Sequence, residues 1–556
     1  AWFGDTEGAL FSSKTGKTTL QIMCPDAGRL RRAKAHIHIR ISFVKDMIRA
    51  TPALFRVIFA PSVLNRLRAK RALGLEHNLI SNVLDGRVFD KVNALRSDQK
   101  LTLIMPVYNA YDVLQVALAR IVENTNVPWR LILVEDCSSD PRVRPMLRRW
   151  SALQTSLGHE IELFENEVNL GFIGSMNKAF TKALEYREHV VLLNSDALVP
   201  QNWAQRLLLP ITKNASVASV TPLSNDAEIF SAPLMCHKSQ LEAGVADKID
   251  SELQRQVSST AYRPAPTGVG FCMAININFL RKLPEFDVTF GKGYGEEVDW
   301  CQKVARLGGV HMCQPNLFVE HRGGASFGSA TKRAAIAKNN QIISKRYPAF
   351  DVAVQDFMAT DPIRTARLFA AISYLAASQD AVPIYVAHSL GGGAELYLKE
   401  KLAEFSELDK GAVVLRVGGA LRWCIEVHTP HGTIHGDCED AQLVHKLLSP
   451  IKNRDVVYSC AVGDSDPLDL AREILELKRA ERATLTFLVH DYFAISPSYC
   501  LLNSRNSYHG IPDVDSEDQR HSFKSIRGQV ISNKSWRLGW RNVLDVSDPV
   551  FGEIGI

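Results

Sequence analysis

Short apolar runs and amphipathic stretches alternate regularly along the chain from residue 101 onward. Residues 101–105 (LTLIM), 130–135 (RLILVE), 160–165 (EIELFE) and 189–193 (HVVLL) have strand length and strand composition. Between them, YDVLQVALARIVENT, PRVRPMLRRWSALQTSL and GFIGSMNKAFTKALEY carry apolar residues at helical spacing. Repeated βα units of this length predict an α/β fold in which helices wrap a parallel sheet. Residues 351–380 read as a helical connector. VPIYVAHSLGGGAELYLKEKLAEF then opens a second, Rossmann-like α/β unit, continued by strands in GAVVLRV, RWCIEVHT, DVVYSCAV and ATLTFLVHDYF. The predicted organisation is thus a partly helical segment over 1–95, one α/β domain over 96–350, the connector, and a second domain over 381–556.

Polar residues collect where each strand of the first unit ends. The first run is followed by Pro106, Tyr108 and Asn109, and the second by Glu135, Asp136, Ser138 and Asp140. The third leads to Asn166, Asn169 and Gly171, and the fourth to Asn194, Ser195 and Asp196. Ligands bind at that rim in open α/β sheets, because loops there carry polar groups while the strands hold them still. Asp196 would make a hard-oxygen ligand for Mg²⁺ or Mn²⁺; it would equally cap a helix starting near Gln201. Four polar rims converging on one crevice suit a nucleotide, its base and ribose near the first two and its diphosphate at the metal. Asp136 offers lone pairs to a base or ribose edge, and Gly171 lets the chain turn closely into the next helix.

Composition narrows the class. At 556 residues the chain exceeds a single core, so two or three domains are expected. A net charge of +5 is low for a general nucleic-acid binder of this length, so no nucleic-acid partner is expected. Ten cysteines without CxxC pairs read as reduced, cytosolic thiols. No apolar run approaches the ~18 residues that would span a bilayer. The basic stretch from Ile37 to Leu75 suits either a solvated helical pair or an amphipathic helix lying on an anionic membrane surface. SKTGKTTL fails as a phosphate loop, since the first glycine would fall at Phe11. His428, His431 and His435 cluster across a turn, a spacing that admits a zinc site but is more often structural. A start at Ala, the lack of a recognisable signal peptide and an end in VFGEIGI are expected of a fragment, a partial reading frame or a processed chain.

IMPVYNAYDVL, VEDCSSD, NEVNLGFIGSMNKAF and LNSDALVP, in that order, resemble the nucleotide-sugar half of a glycosyltransferase family 2 enzyme with the GT-A fold. The resemblance implies donor contacts from Pro106, Tyr108, Asp136, Asn169, Gly171 and Asp196. Its metal-binding DxD position is represented by SDA, so Asp196 matches the metal-binding acid while Ser195 and Ala197 supply no second carboxylate. TGVGFCMAI resembles the acceptor-side strand, with Gly270 allowing close backbone approach. In FGKGYGEEVDWCQKVARLGG, Glu297 matches the catalytic base, a glutamate in place of the usual aspartate. Glu296 and Asp299 fall on the acceptor side, although acids also favour the first turn of any helix. His321, in FVEHRGGASFG, matches a metal or diphosphate contact.

The implied activity is metal-assisted, inverting transfer from a nucleotide sugar to a glycan or lipid-linked glycan. It would belong to bacterial-style cell-surface polysaccharide synthesis, in the cytoplasm or peripherally at the inner face of the membrane. HSLGGGAELYL and VHDYFAISPSYCLL resemble the amino-terminal half of a GT-B enzyme of the glycosyltransferase family 4 type, making Gly391, Gly392, Gly393 and His490 second-domain candidates. The other half of that family has no counterpart here, so the domain reads as a truncated transferase or an inactive acceptor module. A nucleotidyl- or phosphosugar transferase, or a sugar-binding scaffold with a decayed site, are the alternatives for the whole chain.

Overall fold

The computed structural model describes residues 11–12, 19–20, 82–91, 99–323, 329–525 and 528–551, with side chains omitted over 11–12, 19–20 and 329–335. Two compact units are present, 1–81 and 82–556. In the first, Phe11–Ser12 and Thr19–Leu20 pair antiparallel. The basic stretch with its expected membrane contact, and the SKTGKTTL segment apart from its final Thr19–Leu20, lie outside the described residues. Among the described residues no helix is long and apolar enough to cross a membrane.

The larger unit contains two sheets. The first is built from β1 (Leu101–Val107), β2 (Trp129–Glu135), β3 (Glu160–Glu165), β4 (His189–Leu193), β6 (Val217–Leu223), β7 (Arg263–Ala265), β8 (Cys272–Ile275) and β9 (Val310–Phe318), with short strands β5 (Ala197–Leu198) and β10 (Glu320–His321) pairing beside it. Its order is β3-β2-β1-β4-β8-β6-β9-β7. The chain moves outward in one direction from β1 to β2 and in the other to β4, so the carboxyl end of β1 is a switch point where a crevice opens.

Strand alternation explains the apolar runs. Leu103 and Met105 face the side covered by α1 (Tyr111–Asn124) and α2 (Val143–Ser156). Ile104 faces α3 (Gly171–Tyr186), whose Ile173, Met176, Phe180 and Ala183 form a buried stripe at helical spacing. With both faces covered, every residue of LTLIM is buried, including Thr102.

The expectation of a parallel sheet holds for β1 to β4 and fails at β8, which runs antiparallel to both β4 and β6. The reason is the route of the chain. After α4 (Trp203–Lys213), β6, α5 (Val245–Gln256) and β7, it reaches β8 from the rim, so Cys272 stands beside Leu193 and Ile275 beside Val190. Gly270 and Phe271 are thereby delivered to the carboxyl end of β4. The chain returns through α6 (Glu296–Arg306) to β9, parallel to β6, which puts the head of α6 and His321 at the same rim.

Helices α7 (Ser329–Arg346) and α8 (Phe350–Thr360) lead to α9 (Arg364–Ser378). The sequence suggests a mere connector, but α9 is buried around most of its girth, its small residues letting α5 pack on it from one side and strands of the second sheet from the other. That sheet comprises β11 (Val382–His388), β12 (Ala412–Val417), β13 (Trp423–Thr429), β14 (Gly432–Cys438), β15 (Asn453–Tyr458), β16 (Arg482–Phe487) and β17 (Val550–Phe551), in the order β14-β13-β12-β11-β15-β16-β17. α10 (Gly393–Glu407), α11 (Ala441–Leu447), α12 (Pro467–Lys478) and α13 (Asn533–Ser547) accompany it. Residues 82–84 add to its edge: the Leu84 amide donates to the Asp437 carbonyl at 2.8 Å, and the Asp437 amide to that of Asn82 at 2.8 Å. This part of the amino-terminal segment therefore belongs structurally to the far end of the chain.

One buried ion pair anchors α9. Arg367, 1% exposed, reaches Asp361 Oδ1 at 3.2 Å and donates to the carbonyls of Ile229, at 2.9 Å, and Ser231. Arg367→Ala leaves Asp361 and two carbonyls unpartnered in a dry site and is expected to cost about 3–5 kcal/mol, read from urea unfolding. A second buried group, His311 on β9, ties α6 to the sheet: its Nε2 donates to the Cys301 carbonyl at 2.9 Å, and Nδ1 accepts from the Ser219 hydroxyl at 2.7 Å. A carbonyl can only accept, so Nε2 carries a hydrogen, and burial pushes the imidazole down to about 4, which keeps the ring neutral. An unfolded histidine titrates near 6.5. Between these values the unfolded chain binds a proton that the folded chain refuses, so stability falls on acidification from about pH 6.5 to 4, by roughly 3 kcal/mol in full. Unfolding midpoints across that range should decline less steeply in His311→Asn than in the wild type.

Candidate active site

The rims of the first sheet are laced together in succession. Asn109, at φ 60°, accepts from the Asp140 amide at 3.0 Å through Oδ1, and its own amide donates to Ser138 Oγ at 2.9 Å. Glu135 is fully buried, taking the Ser138 amide at 2.6 Å and an ion pair from Arg144. Asp136 joins the second rim to the third: Oδ1 accepts from Asn166 Nδ2 at 2.9 Å and the Leu170 amide at 2.7 Å, and Oδ2 from the Gly171 amide at 2.8 Å. It thus holds the amino terminus of α3, a position favoured for a carboxylate, with about one of its four lone-pair sites left over. Asn169 donates to the Asp136 carbonyl at 3.3 Å and accepts from Lys292 Nζ at 3.2 Å. Pro106 and Tyr108 flank the end of β1, both partly buried.

The glycine loop before α6 closes over this corner. Gly171 has φ +73°, and a Cβ there would lie 3.0 Å from Lys292 Cα, so glycine is what lets the loop seat itself. The Phe172 amide donates to the Lys292 carbonyl at 3.2 Å. Gly295, at φ 104°, turns the chain into α6, whose first turn carries Glu296, Glu297 and Asp299. Glu296 is 3% exposed, and both its Oε2 and that of Glu297 are buried without a hydrogen-bond partner. Glu297 Oε1 lies beside Gly270, 3.7 Å from where a Cβ would stand. Asp299 points elsewhere: its carboxylate meets Tyr347 OH at 2.7 Å, Arg346 Nη1 at 2.8 Å and Lys303 Nζ at 2.6 Å, pinning α6 to the end of α7.

Next to Gly270, Phe271 leads to the fourth rim. Its carbonyl accepts from the Asn194 amide at 2.8 Å, and its ring stacks on His321 with centroids 5.0 Å apart. His321 pairs with Ala197 in the β5–β10 ribbon, which brings its Nε2 to 3.4 Å from Asp196 Oδ1. Nδ1 lies 2.7 Å from the Asp226 carbonyl. Because that carbonyl accepts only, Nδ1 carries the hydrogen and the neutral ring turns its Nε2 lone pair toward Asp196. Asn225 fixes the backbone on both sides, accepting from the His321 amide at 2.8 Å and donating to its carbonyl at 3.0 Å. Burial pulls the imidazole down and the adjacent Asp196 carboxylate more than offsets it, leaving His321 above its ordinary value. For Asp196 burial pushes upward, and the imidazole outweighs it to leave the acid below its ordinary range.

An imidazole nitrogen and a carboxylate oxygen so placed fit a divalent cation. Two donors bound at right angles at about 2.1 Å stand about 3 Å apart, and the histidine already has the outer-shell partner such ligands use. Among the described residues no group of three or more His, Cys, Asp or Glu side chains is arranged to hold a metal, so substrate oxygens and water would complete the shell. Asn225, Asp226 and Phe271 are contributors that sequence reasoning missed. The polar turn SNDAE directly after the apolar β6 is the signal that marks the first two.

In the second sheet, Gly391 and Gly392, at φ +84° and +92°, lie between the end of β11 and α10, which Gly393 begins, with open space where their Cβ atoms would be. β11 sits between β12 and β15, another switch point. His490 shares that edge, its Nδ1 3.1 Å from Ser459 Oγ and its ring 5.8 Å from that of Tyr397 on α10. The three hairpin histidines have separate partners: His428 bonds Glu426 at 3.0 Å, His435 bonds Asn82 at 2.9 Å, and His431, in the turn, lies against the ring of His237.

With this geometry in hand, the family match falls on the first sheet. Residues 102–282 match the family model described as glycosyl transferase family 2. The match includes Asp136, Asp196 and Gly270 and ends before Glu296, Glu297, Asp299 and His321. An uncharacterized protein, y4gI, of Sinorhizobium fredii (strain NBRC 101917 / NGR234) is 30% identical over 125 residues, covering 21% of this chain and only 13% of that relative. Among solved structures, GalNAc-T7 with UDP, GalNAc and Mn²⁺ aligns at 17% identity and a TM-score of 0.34, covering 49% of this chain and 58% of its own. The mannosyltransferase PcManGT from Pyrobaculum calidifontis, in complex with GDP-Man and Mn²⁺, aligns at 19% identity and 0.35, covering 65% and 92%.

The metal pair has a direct test. Mn²⁺ binding to the full chain, measured by electron paramagnetic resonance with UDP or GDP present, should weaken at least about tenfold in Asp196→Asn and in His321→Gln. Asn225→Ala, which frees the histidine backbone, should weaken it by about tenfold as well. Unchanged binding in Asp196→Asn would remove the pair from consideration.

Proposed function

We propose that the chain transfers a sugar from a nucleotide-sugar donor to a hydroxyl of a glycan or lipid-linked glycan, with inversion at the anomeric carbon, in assembly of a cell-surface polysaccharide. One observation carries the reading: the oriented His321–Asp196 pair and the Glu297 carboxylate flank the same two residues, Gly270 and Phe271. That arrangement supplies a base and a leaving-group site on either side of a short backbone link, in a region whose first part matches a glycosyltransferase family.

In this reading Glu297 takes the proton of the acceptor hydroxyl as its oxygen attacks. Asp196 and His321 hold Mg²⁺ or Mn²⁺, which when bound offsets charge on the departing nucleoside diphosphate. Asp136, through its remaining lone pair, and the Asn169–Gly171 turn receive base and ribose, with Pro106 and Tyr108 forming the opposite wall. Gly270 leaves room for the acceptor. Asp299 acts by holding α6 in place, and Glu296 is taken up below. The family 4-like second domain, with Gly391 to Gly393 and His490 on one edge, serves as an acceptor module. The basic stretch before it keeps the protein at the inner face of the membrane.

Donor turnover by the full chain decides the matter, using UDP-, dTDP- and GDP-sugars with Mn²⁺ or Mg²⁺ and pooled cell glycan as acceptor. One donor should be consumed. Glu297→Gln should lower kcat by about 10²–10⁴ while nucleotide binding persists, and Asp196→Asn should lose both. Turnover that survives Glu297→Gln would point to a phosphosugar or nucleotidyl transferase. No consumption of any donor would leave a sugar-binding scaffold, the reading that the single carboxylate of SDA favours.

A further inference from the structure

Three acids crowd the first turn of α6, and only one of them is neutralised by its surroundings. Asp299 has Lys303, Arg346 and Tyr347. Among the described residues no ion pair reaches Glu296 or Glu297, yet each has a buried oxygen with no partner. The groups packed around them are Phe172 on α3, Gly270 before β8, Gly293 and Tyr294 on the glycine loop, and Cys301 further along α6. Burial pushes the Cys301 thiol up to about 12 and raises the Tyr294 phenol, so both are neutral. Lys292, in the same loop, spends its ammonium on Asn169. Two adjacent carboxylates in such a place cannot both stay ionised: removing one charge from water without a partner already costs several kcal/mol, and a second like charge adds repulsion. The positive end of α6 accommodates one negative charge.

We propose that Glu296 and Glu297 share a single proton, held on Glu296 and donated as a hydrogen bond to Glu297, so that the pair acts as one base carrying one negative charge. The proposal deepens the reading of Glu297 as the base and rests on it for its catalytic meaning. Glu296 is 3% exposed, and burial together with the charge of Glu297 raises it well above the ordinary carboxylate range. It is therefore the partner that keeps the proton, and Glu297, beside Gly270, is the one left free to accept another. In the reaction the acceptor O–H proton passes to Glu297 and its oxygen forms the new bond to the anomeric carbon. The bond from that carbon to the diphosphate breaks, and the electron pair leaves with the nucleotide. The glutamate pair then holds two protons and no charge until one returns to solvent. Glu296 is a positioning residue: it aims Glu297 and sets its proton affinity, without touching substrate.

A neutral donor can replace a protonated acid, which gives the test. Glu296→Gln should retain donor turnover within about threefold and keep the acid limb of its pH profile in place. Glu296→Leu, of similar size but unable to donate, should lower kcat by about tenfold or more and move that limb to higher pH, since the Glu297 anion loses its hydrogen bond. A purely structural role would be met equally by both or neither, with no movement of the limb. Independently of activity, ¹³Cδ-glutamate NMR of the full chain at pH 7 should show one carboxyl at the protonated position, absent in Glu296→Gln. Two ionised carboxyls in that spectrum, or a profile in which Glu296→Gln is dead and Glu297→Gln active, would overturn the proposal. A protonated Glu296 in a chain that consumes no donor would instead leave the pair standing and refute the transferase reading.

Discussion

The site depends on one antiparallel strand, β8, set between β4 and β6 of the first sheet. Because β8 enters from the rim, its hydrogen bonds to β4 hold Phe271 beside Asn194, and everything downstream is referred to that register. Phe271 supports the ring of His321, and Gly270 is the floor beside Glu297. A one-residue slip of β8 would turn Met273 and Cys272 to opposite faces and carry the glycine away from the glutamate. The close fit of Cys272 and Ala274, both fully buried between β4 and β6, makes such a slip costly.

Much of this was legible in the chain because its signals are local. Four strands, their helices and their polar ends follow from apolar periodicity, and the acids of α6 stand where a helix start favours them. What pattern could not convey is how those ends are satisfied. Asp136 lies at a rim as its position suggests, but its oxygens meet the backbone of α3, a partnership set by tertiary approach across about 35 residues of sequence. β8 could not be told from a parallel strand, since TGVGFCMAI has the same composition in either direction. Helix α9 was underestimated for a related reason: TARLFAAISYLAAS has no polar face, which is how a sequence looks when it is covered on all sides.

The departures from a two-carboxylate metal motif have a physical counterpart in the surroundings of His321. An imidazole whose other nitrogen is fixed by a backbone carbonyl, and whose own backbone is clamped by Asn225, would give up little rotational freedom if it bound a cation. In the proposed role such rigidity would partly offset the missing charge and leave more of the coordination shell to the substrate.

Arg367 reaches across from α9 to the carbonyls of Ile229 and Ser231, which follow β6 of the first sheet, while the opposite side of the same helix lies on β13 and β14 of the second. The apolar core accordingly runs without a break from Leu103 through Phe369 to Ile425. Two sheets that share one interior have no seam at which to separate. Excising either half would strip the covering from a broad oily surface, so the two halves are expected to melt as one cooperative body.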